Sequence, residues 1–202
     1  MGTASGEKSQ RIKYLEPTLH FSRKRVSVGE GESAEKIILS ELVRKDQPLL
    51  SYPDFATYAE KGFEKSPVRA GRNTHFSEDG ETLLADTIGY PRIDIMKAEE
   101  GEEPILLVSL TPLVKISHDQ MEGTLILHPL VPGGFSAQSA PLNELIEEAG
   151  ILYGVDQTAL EQAREMLAAG INDFVEISLA KGKAAGPGSD AYLQFALEIG
   201  PI

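Results

Sequence analysis

The chain has 202 residues, 41% of them hydrophobic and 25% charged, which is enough apolar material for one or two cores of ordinary size. It contains no cysteine, which excludes disulfides, thiol nucleophiles, iron–sulfur clusters and cysteine-ligated zinc. Its net charge is −12, split into +4 over residues 1–28 and −16 beyond them, and a body this acidic repels phosphate backbones, so nucleic acid is not an expected partner.

Residues 1–28 read as a basic, flexible leader. The opening MGTASGEKSQRIKY lacks the apolar stretch of a signal peptide, and no apolar run reaches the roughly 18 to 20 residues that span a bilayer. A cytoplasmic protein without a membrane span is therefore expected. The next segment, AEKIILSELVRK, predicts an amphipathic helix over Ala34 to Lys45, with Ser33 as its N-cap and Ala34, Ile37, Ile38 and Leu42 at helical spacing. A shorter helix is predicted from Pro53 to about Glu60, closed by Gly62 in the left-handed conformation.

After residue 66 the period changes. Turn residues at Gly71, Glu78-Asp79-Gly80, Gly89-Tyr90-Pro91 and Gly101 punctuate short strands, and Leu83, Ala85 and Thr87 alternate with Thr82, Leu84 and Asp86. From Pro104 to Leu110 the run PILLVSL predicts another strand. Leu113 to Ser117 and Glu122 to His128 then form a hairpin about His118-Asp119-Gln120.

The last part alternates helix and strand signals. Pro141 opens a helix striped by Leu142, Leu145, Ile146 and Ala149 and ended by Gly150. Asp156 caps a second helix, whose face is Leu160, Ala163 and Leu167, with Val155 as a hydrophobic staple and Gly170 in the left-handed terminal position. Val175, Ile177 and Leu179 face one side of a strand over 174–180, and Tyr192 to Leu197 is its expected partner. The fold class that follows is α+β: a mainly antiparallel sheet with two helices in a C-terminal β-β-α-α-β-β unit, preceded by a small strand-rich unit with N-terminal helices. The expected divisions are 1–28, 29–103 and 104–202.

No coherent catalytic site is written in the chain. His20, His75, His118 and His128 form no HExxH or close helical pair, and no G-x-S-x-G elbow follows a buried strand. Ser77 in FSEDG and Ser117 in ISHDQ suit turn hydrogen bonds, Glu78-Asp79 suits a solvated turn, and the acidic run from Glu99 to Glu103 lacks the ligand spacing of a calcium loop. No metal, cofactor or catalytic residue is expected. The most individual segment is AKGKAAGPGSDAY at 180–192. It lacks the GxxxxGK[ST] order of a phosphate loop but places Lys181 and Lys183 on an acidic body among Gly182, Gly186 and Gly188.

Three linked stretches carry a resemblance: VKISHDQMEGTLILHP, LNELIEEAGILYGVDQTALEQAREML and VEISLAKGKAAGPGSDAYLQF. Ile116, Ser117, Asp119 and Met121 match a hairpin motif; Gly150, Tyr153, Gly154, Val155 and Asp156 match an interhelical link; Ala180, Lys181, Gly182, Gly188 and Asp190 match a glycine-rich motif after a strand. Over about 113–197 the chain thus resembles the N-terminal region of the flagellar assembly protein A family, also called DUF342. It departs from that pattern at Ala184 and Ala185, where the family favours prolines, and at Ala191, where it has glycine.

The resemblance implies a bacterial cytoplasmic accessory protein, connected in some members with flagellar assembly or polar organisation, that acts through protein contacts. A non-enzymatic interaction or regulatory module is expected, with Lys181, Gly182, Lys183, Gly188 and Asp190 forming a loop for an acidic protein partner. Two other functions are open to the sequence. One is an enzyme or small-ligand sensor with a cleft using His118, Glu122 and His128, which must converge to act. The other is an architectural subunit of a larger assembly.

Overall fold

A computed structural model of the chain describes residues 12–28, 35–97, 103–152 and 154–182. Three short strands, β1 (Lys13–Leu15), β2 (Thr18–Leu19) and β3 (Arg23–Val28), lie where the sequence suggested a flexible leader. β1 and β2 have distant partners, and β3 pairs with the next strand. β1 runs parallel to β6 (Phe63–Lys65), and β2 is antiparallel to β5 (Pro48–Ser51). β3 forms a hairpin with β4 (Glu35–Ser40). Basic side chains stay exposed on β3 while Val28 turns inward, so the positive charge coats a strand rather than loosening the chain.

β4 also overturns the helix expected at 34–45. Its register sets Val26 against Ile37 and Lys24 against Leu39. Ile37, Leu39 and Val131 then close a small core with Val26 and Val28, whereas Ile38 points outward and is 54% exposed. The apolar residues downstream go elsewhere: Leu42 enters the core under the C-terminal helices and Val43 the core of the N-terminal sheets. One helical stripe faces one direction and cannot serve three cores. β-branched Ile37 and Ile38 also favour the extended form.

The short helix is present as α1 (Phe55–Ala59), and Gly62 follows it at φ 80°. Beyond it lie β7 (Val68–Ala70), β8 (Thr74–Phe76), β9 (Thr82–Ala85), β10 (Gly89–Met96) and β11 (Ile105–Pro112). A four-stranded sheet is ordered β2-β5-β9-β8, and a three-stranded one β10-β11-β7, with β7 parallel to β11. The alternation read at 82–85 is real, with Leu83 and Ala85 fully buried. Gly89-Tyr90-Pro91, expected to be a turn, instead opens β10. These residues pair with Pro112, Thr111 and Leu110, and burial of all three keeps the strand running inward. Proline fits because β10 is an edge strand of its sheet, where a missing N–H costs no ladder bond.

The C-terminal unit matches the expected order across the described residues. β12 (Val114–Ile116), β13 (Glu122–Leu127) and β14 (Val175–Lys181) make an antiparallel sheet in that order. α2 (Leu142–Glu148) and α3 (Gln157–Ala169) cover one face. Leu145, Ile146, Leu160, Ala163 and Leu167 meet Val114, Leu125, Leu127, Ile177 and Leu179 in one core. Helices this short are marginal alone, and burying each Leu or Ile contributes roughly 1.5–3 kcal/mol, so packing holds them. Asp156 caps α3 by accepting from the Thr158 and Ala159 N–H groups at 2.8 and 3.2 Å. Gly150 has φ 96°; Gly170 ends α3 at φ 90° and ψ 135°, outside the left-handed helical well expected for it. The expected strand at Tyr192 to Leu197 lies outside the described residues.

β11 lies beyond the division expected at 104, yet it pairs with β10, and its Val108 and Leu110 belong to the N-terminal core. The two cores meet at a seam. Val43 and Gly89 exchange two backbone hydrogen bonds of 2.8 and 3.0 Å, and Leu113 N–H donates to the Ile88 carbonyl at 2.9 Å. A methyl group on Gly89 would lie 2.3 Å from the Thr111 carbonyl oxygen and 2.5 Å from a Leu110 methyl. Gly89→Ala is therefore expected to cost more than about 2 kcal/mol, in the upper part of the range for overpacking. Urea unfolding checks this, and a variant with an unchanged midpoint would show that the seam yields freely.

Candidate functional site

The hairpin turn between β12 and β13 is built by two side chains. Ser117 Oγ donates to Asp119 Oδ1 at 2.6 Å and accepts from the Glu122 N–H at 2.9 Å, while Asp119 Oδ1 also accepts from the Met121 N–H at 3.1 Å. Gln120 takes φ 57°, and its N–H reaches the Ser117 carbonyl. The hydroxyl and N–H donors hold the Asp119 carboxyl below its usual value. The turn from Ser77 to Thr82 repeats the arrangement: Ser77 Oγ donates to Asp79 at 2.6 Å, and Gly80 takes the positive φ of 67°. Both serines thus act as the turn-forming residues read from the sequence. His118 is left exposed at the hairpin tip.

Glu122 begins β13, opposite Lys181 at the end of β14. Together with His118 they stand around an open cavity of about 1030 Å³ whose apolar wall includes Ile116, Met121, Ile151 and Leu152. Gly182 closes one side, its N–H donating to the Met121 carbonyl at 2.6 Å. Lys181 and Gly182 of the expected contact loop are therefore placed at this cavity. Lys183, Gly188 and Asp190 lie outside the described residues.

His128 is elsewhere. It follows the far end of β13, six positions from Glu122, a distance of roughly 20 Å along an extended strand. Its ring stacks on Tyr90 with centroids 3.9 Å apart and planes 14° apart, and Phe174 meets it edge-on at 4.8 Å. Its N–H approaches Tyr90 Oη at 3.5 Å. Burial pushes the His128 imidazole down to about 4 and the Tyr90 phenol up to about 12. The histidine thus joins the seam between the cores and shares no cavity with His118 and Glu122. Among the described residues, no group of three or more His, Asp or Glu side chains is arranged to hold a metal ion.

Two contributors to the cavity carried no functional signal in the sequence. Ile116 is 43% exposed and Leu152 67% exposed. Both belong to apolar stretches that read as strand or helix-link packing. Their one clue is position, beside the polar turn and just after Gly150.

Geometry and composition define a mainly antiparallel α+β protein with an open, apolar-walled cavity beside a hairpin turn. Residues 112–200 match the family model described as Flagellar Assembly Protein A N-terminal region. This partial match begins at the last residue of β11 and takes in β12 to β14 and both C-terminal helices. It agrees with the resemblance carried by the three motifs over 113–197. Neither a curated protein nor a solved structure matched the chain. Among the described residues no helix is long and apolar enough to cross a membrane.

The His128 environment has a measurable consequence. An unfolded chain binds the imidazole proton at its ordinary value of 6.5, whereas the folded site resists it down to about 4. The stabilising preference for the neutral ring is complete above pH 6.5, declines as pH falls from 6.5 towards 4, and changes no further below 4. The loss should amount to about 2 to 3 kcal/mol at most, because the ring keeps some solvent contact. Denaturant titrations of the native chain and His128→Phe at pH 7 and pH 4.5 should differ in slope against pH. Parallel profiles would contradict a buried neutral ring.

Proposed function

We propose that the chain is a non-enzymatic protein-interaction or regulatory module of a bacterial cytoplasmic accessory protein connected with flagellar assembly or polar organisation. The observation that carries this reading is the match of residues 112–200 to the N-terminal region of flagellar assembly protein A. The proposed contact surface starts at Lys181 and Gly182 and continues through Lys183, Gly188 and Asp190. Its partner is an acidic protein surface.

The exposed Lys181 supports this choice, because a positive charge at the end of β14 stands on a chain of net charge −12. The net charge of the chain repels an acidic partner, and Lys181 offers it a local positive charge. The separation of His128 from His118 and Glu122 also favours contact over catalysis, since those three were the polar set that an enzyme cleft required.

Affinity capture with the intact chain from native extract, followed by titration of the captured partner, tests the surface. Lys181→Ala combined with Lys183→Ala should weaken binding on the order of tenfold, more at low salt than at high salt, with an unchanged unfolding midpoint. Equal affinity of the native and double-variant chains would reject the loop as the contact surface.

A further inference from the structure

The outer face of the β3–β4 hairpin is basic on a chain whose net charge is −12. Residues set opposite each other in an antiparallel pair share a face, and the register sets Arg23 against Ser40, Arg25 against Ile38 and Ser27 against Lys36. Arg23, Arg25, Lys36 and Ile38 are all exposed there, and none of the paired residues on this face is acidic. Val26, Val28, Ile37 and Leu39 line the opposite face and meet Val131 in the small core.

The backbone of β3 is also open along one side. The Glu41 N–H donates to the Ser22 carbonyl at 3.0 Å, which fixes the alternation of the ladder. Residues 24, 26 and 28 turn their N–H and C=O groups towards β4, while Arg23, Arg25 and Ser27 turn theirs away from it. β3 and β4 make a sheet of two strands, so among the described residues no strand pairs with that outer edge. The unpaired backbone groups thus belong to the same residues that carry the two arginine side chains.

We propose that this edge receives an acidic peptide segment in extended form, added as a third strand beside β3 with its carboxylates opposite Arg23 and Arg25. Alternate residues of an extended chain are spaced by about 7 Å, and this holds for Arg23 and Arg25 as it does for two acidic residues at i and i+2 of the partner. One register therefore satisfies the strand hydrogen bonds and both charge pairs together. Each guanidinium can take a carboxylate through two parallel N–H bonds, and Lys36 adds to the positive field from the next strand.

Charge selects against other occupants of the edge. A second copy pairing through its own β3 sets arginine against arginine, which is destabilising. Duplex DNA and an anionic bilayer offer no strand backbone to the edge, and both meet an acidic body, although Ile38, 54% exposed, would suit a bilayer. The surface is separate from Lys181 and does not depend on the reading of that loop.

The probe is an eight-residue peptide alternating glutamate and valine, titrated into the full chain and followed by amide NMR. It should shift the Arg23, Arg25 and Ser27 resonances, and more weakly as salt is raised. Arg23→Gln combined with Arg25→Gln should reduce affinity at least tenfold at an unchanged unfolding midpoint, because both side chains are exposed. A twin peptide N-methylated at alternate amides keeps the charge but loses the strand bonds, and it too should bind at least tenfold more weakly. Lys181→Ala combined with Lys183→Ala should bind the peptide as the native chain does, so the two surfaces stand or fall separately. Absence of binding at millimolar peptide would overturn the proposal, as would equal affinity for the double arginine variant. Equal binding of the N-methylated twin would reduce the edge to a charged patch and overturn strand addition. The same three resonances responding to phosphatidylglycerol vesicles or duplex DNA at lower concentration than to the peptide would assign the face to lipid or nucleic acid instead.

Discussion

The backbone of Gly89 is the constraint on which the arrangement of both cores depends. Its carbonyl and N–H are both engaged by Val43, and the close Thr111 carbonyl leaves no room for a side chain. On either side of it stand Ile88 and Tyr90, which pack with the C-terminal helices, while Val43 packs with the N-terminal sheets. The two bridged segments thus serve two interiors, Leu42, Ile88 and Tyr90 entering one and Val43 the other. Because the strand period is two, a slip of one residue would put Ile88 and Tyr90 on the wrong side and expose a set of buried groups.

A second connection holds the same seam from the outside. The Glu41 carboxylate accepts from the Ser22 N–H at 2.7 Å and the Phe135 N–H at 2.6 Å, joining the base of the β3–β4 hairpin to the loop before α2. Arg44 pairs with Glu148 at 3.0 Å and lies over the Phe135 ring. The ion pair is partly exposed and contributes little energy by itself. Glu41 contributes more to specificity, because its two oxygens satisfy backbone donors from distant segments that would otherwise be unpaired. The region matched by the family therefore relies on residues outside it: Leu42, Ile88 and Tyr90 fill its core, and Glu41 fixes its loop.

This division explains what was legible in the sequence. The hairpin at 114–127, the two helices with their Pro141 and Asp156 starts, and the strand ending at Lys181 are specified by neighbours in the chain, through periodicity, capping and turn residues. The extended form of residues 35–43 is not legible locally, because its cause lies elsewhere in the chain. Ile37, Ile38 and Leu42 suit a helix by local spacing, and only pairing with Arg23–Val28 and the demands of separate cores make the chain extended. Tyr90 and Pro91 likewise look like turn material until Leu110 and Thr111 are placed beside them. At the candidate site, the polar turn was readable, but the exposure of Leu152 was not, since an apolar residue in a helix link ordinarily packs inward.

The same logic accounts for the lack of a common chemical centre around the histidines. β13 is a rigid rod with Glu122 at one end and the chain's turn into His128 at the other, so one end meets solvent while the other meets Tyr90 and Phe174. Nothing short of breaking the strand would unite them. The nearer carboxylate, Asp119, is already committed: the Ser117 hydroxyl and the Met121 N–H occupy Oδ1 and lower the affinity of the group for a proton. A carboxylate held in that state is a poor proton acceptor at neutral pH. Asp79 is committed in the same way by Ser77 and the Glu81 N–H. In both hairpins the acidic residue that might suggest chemistry is the residue that makes the turn.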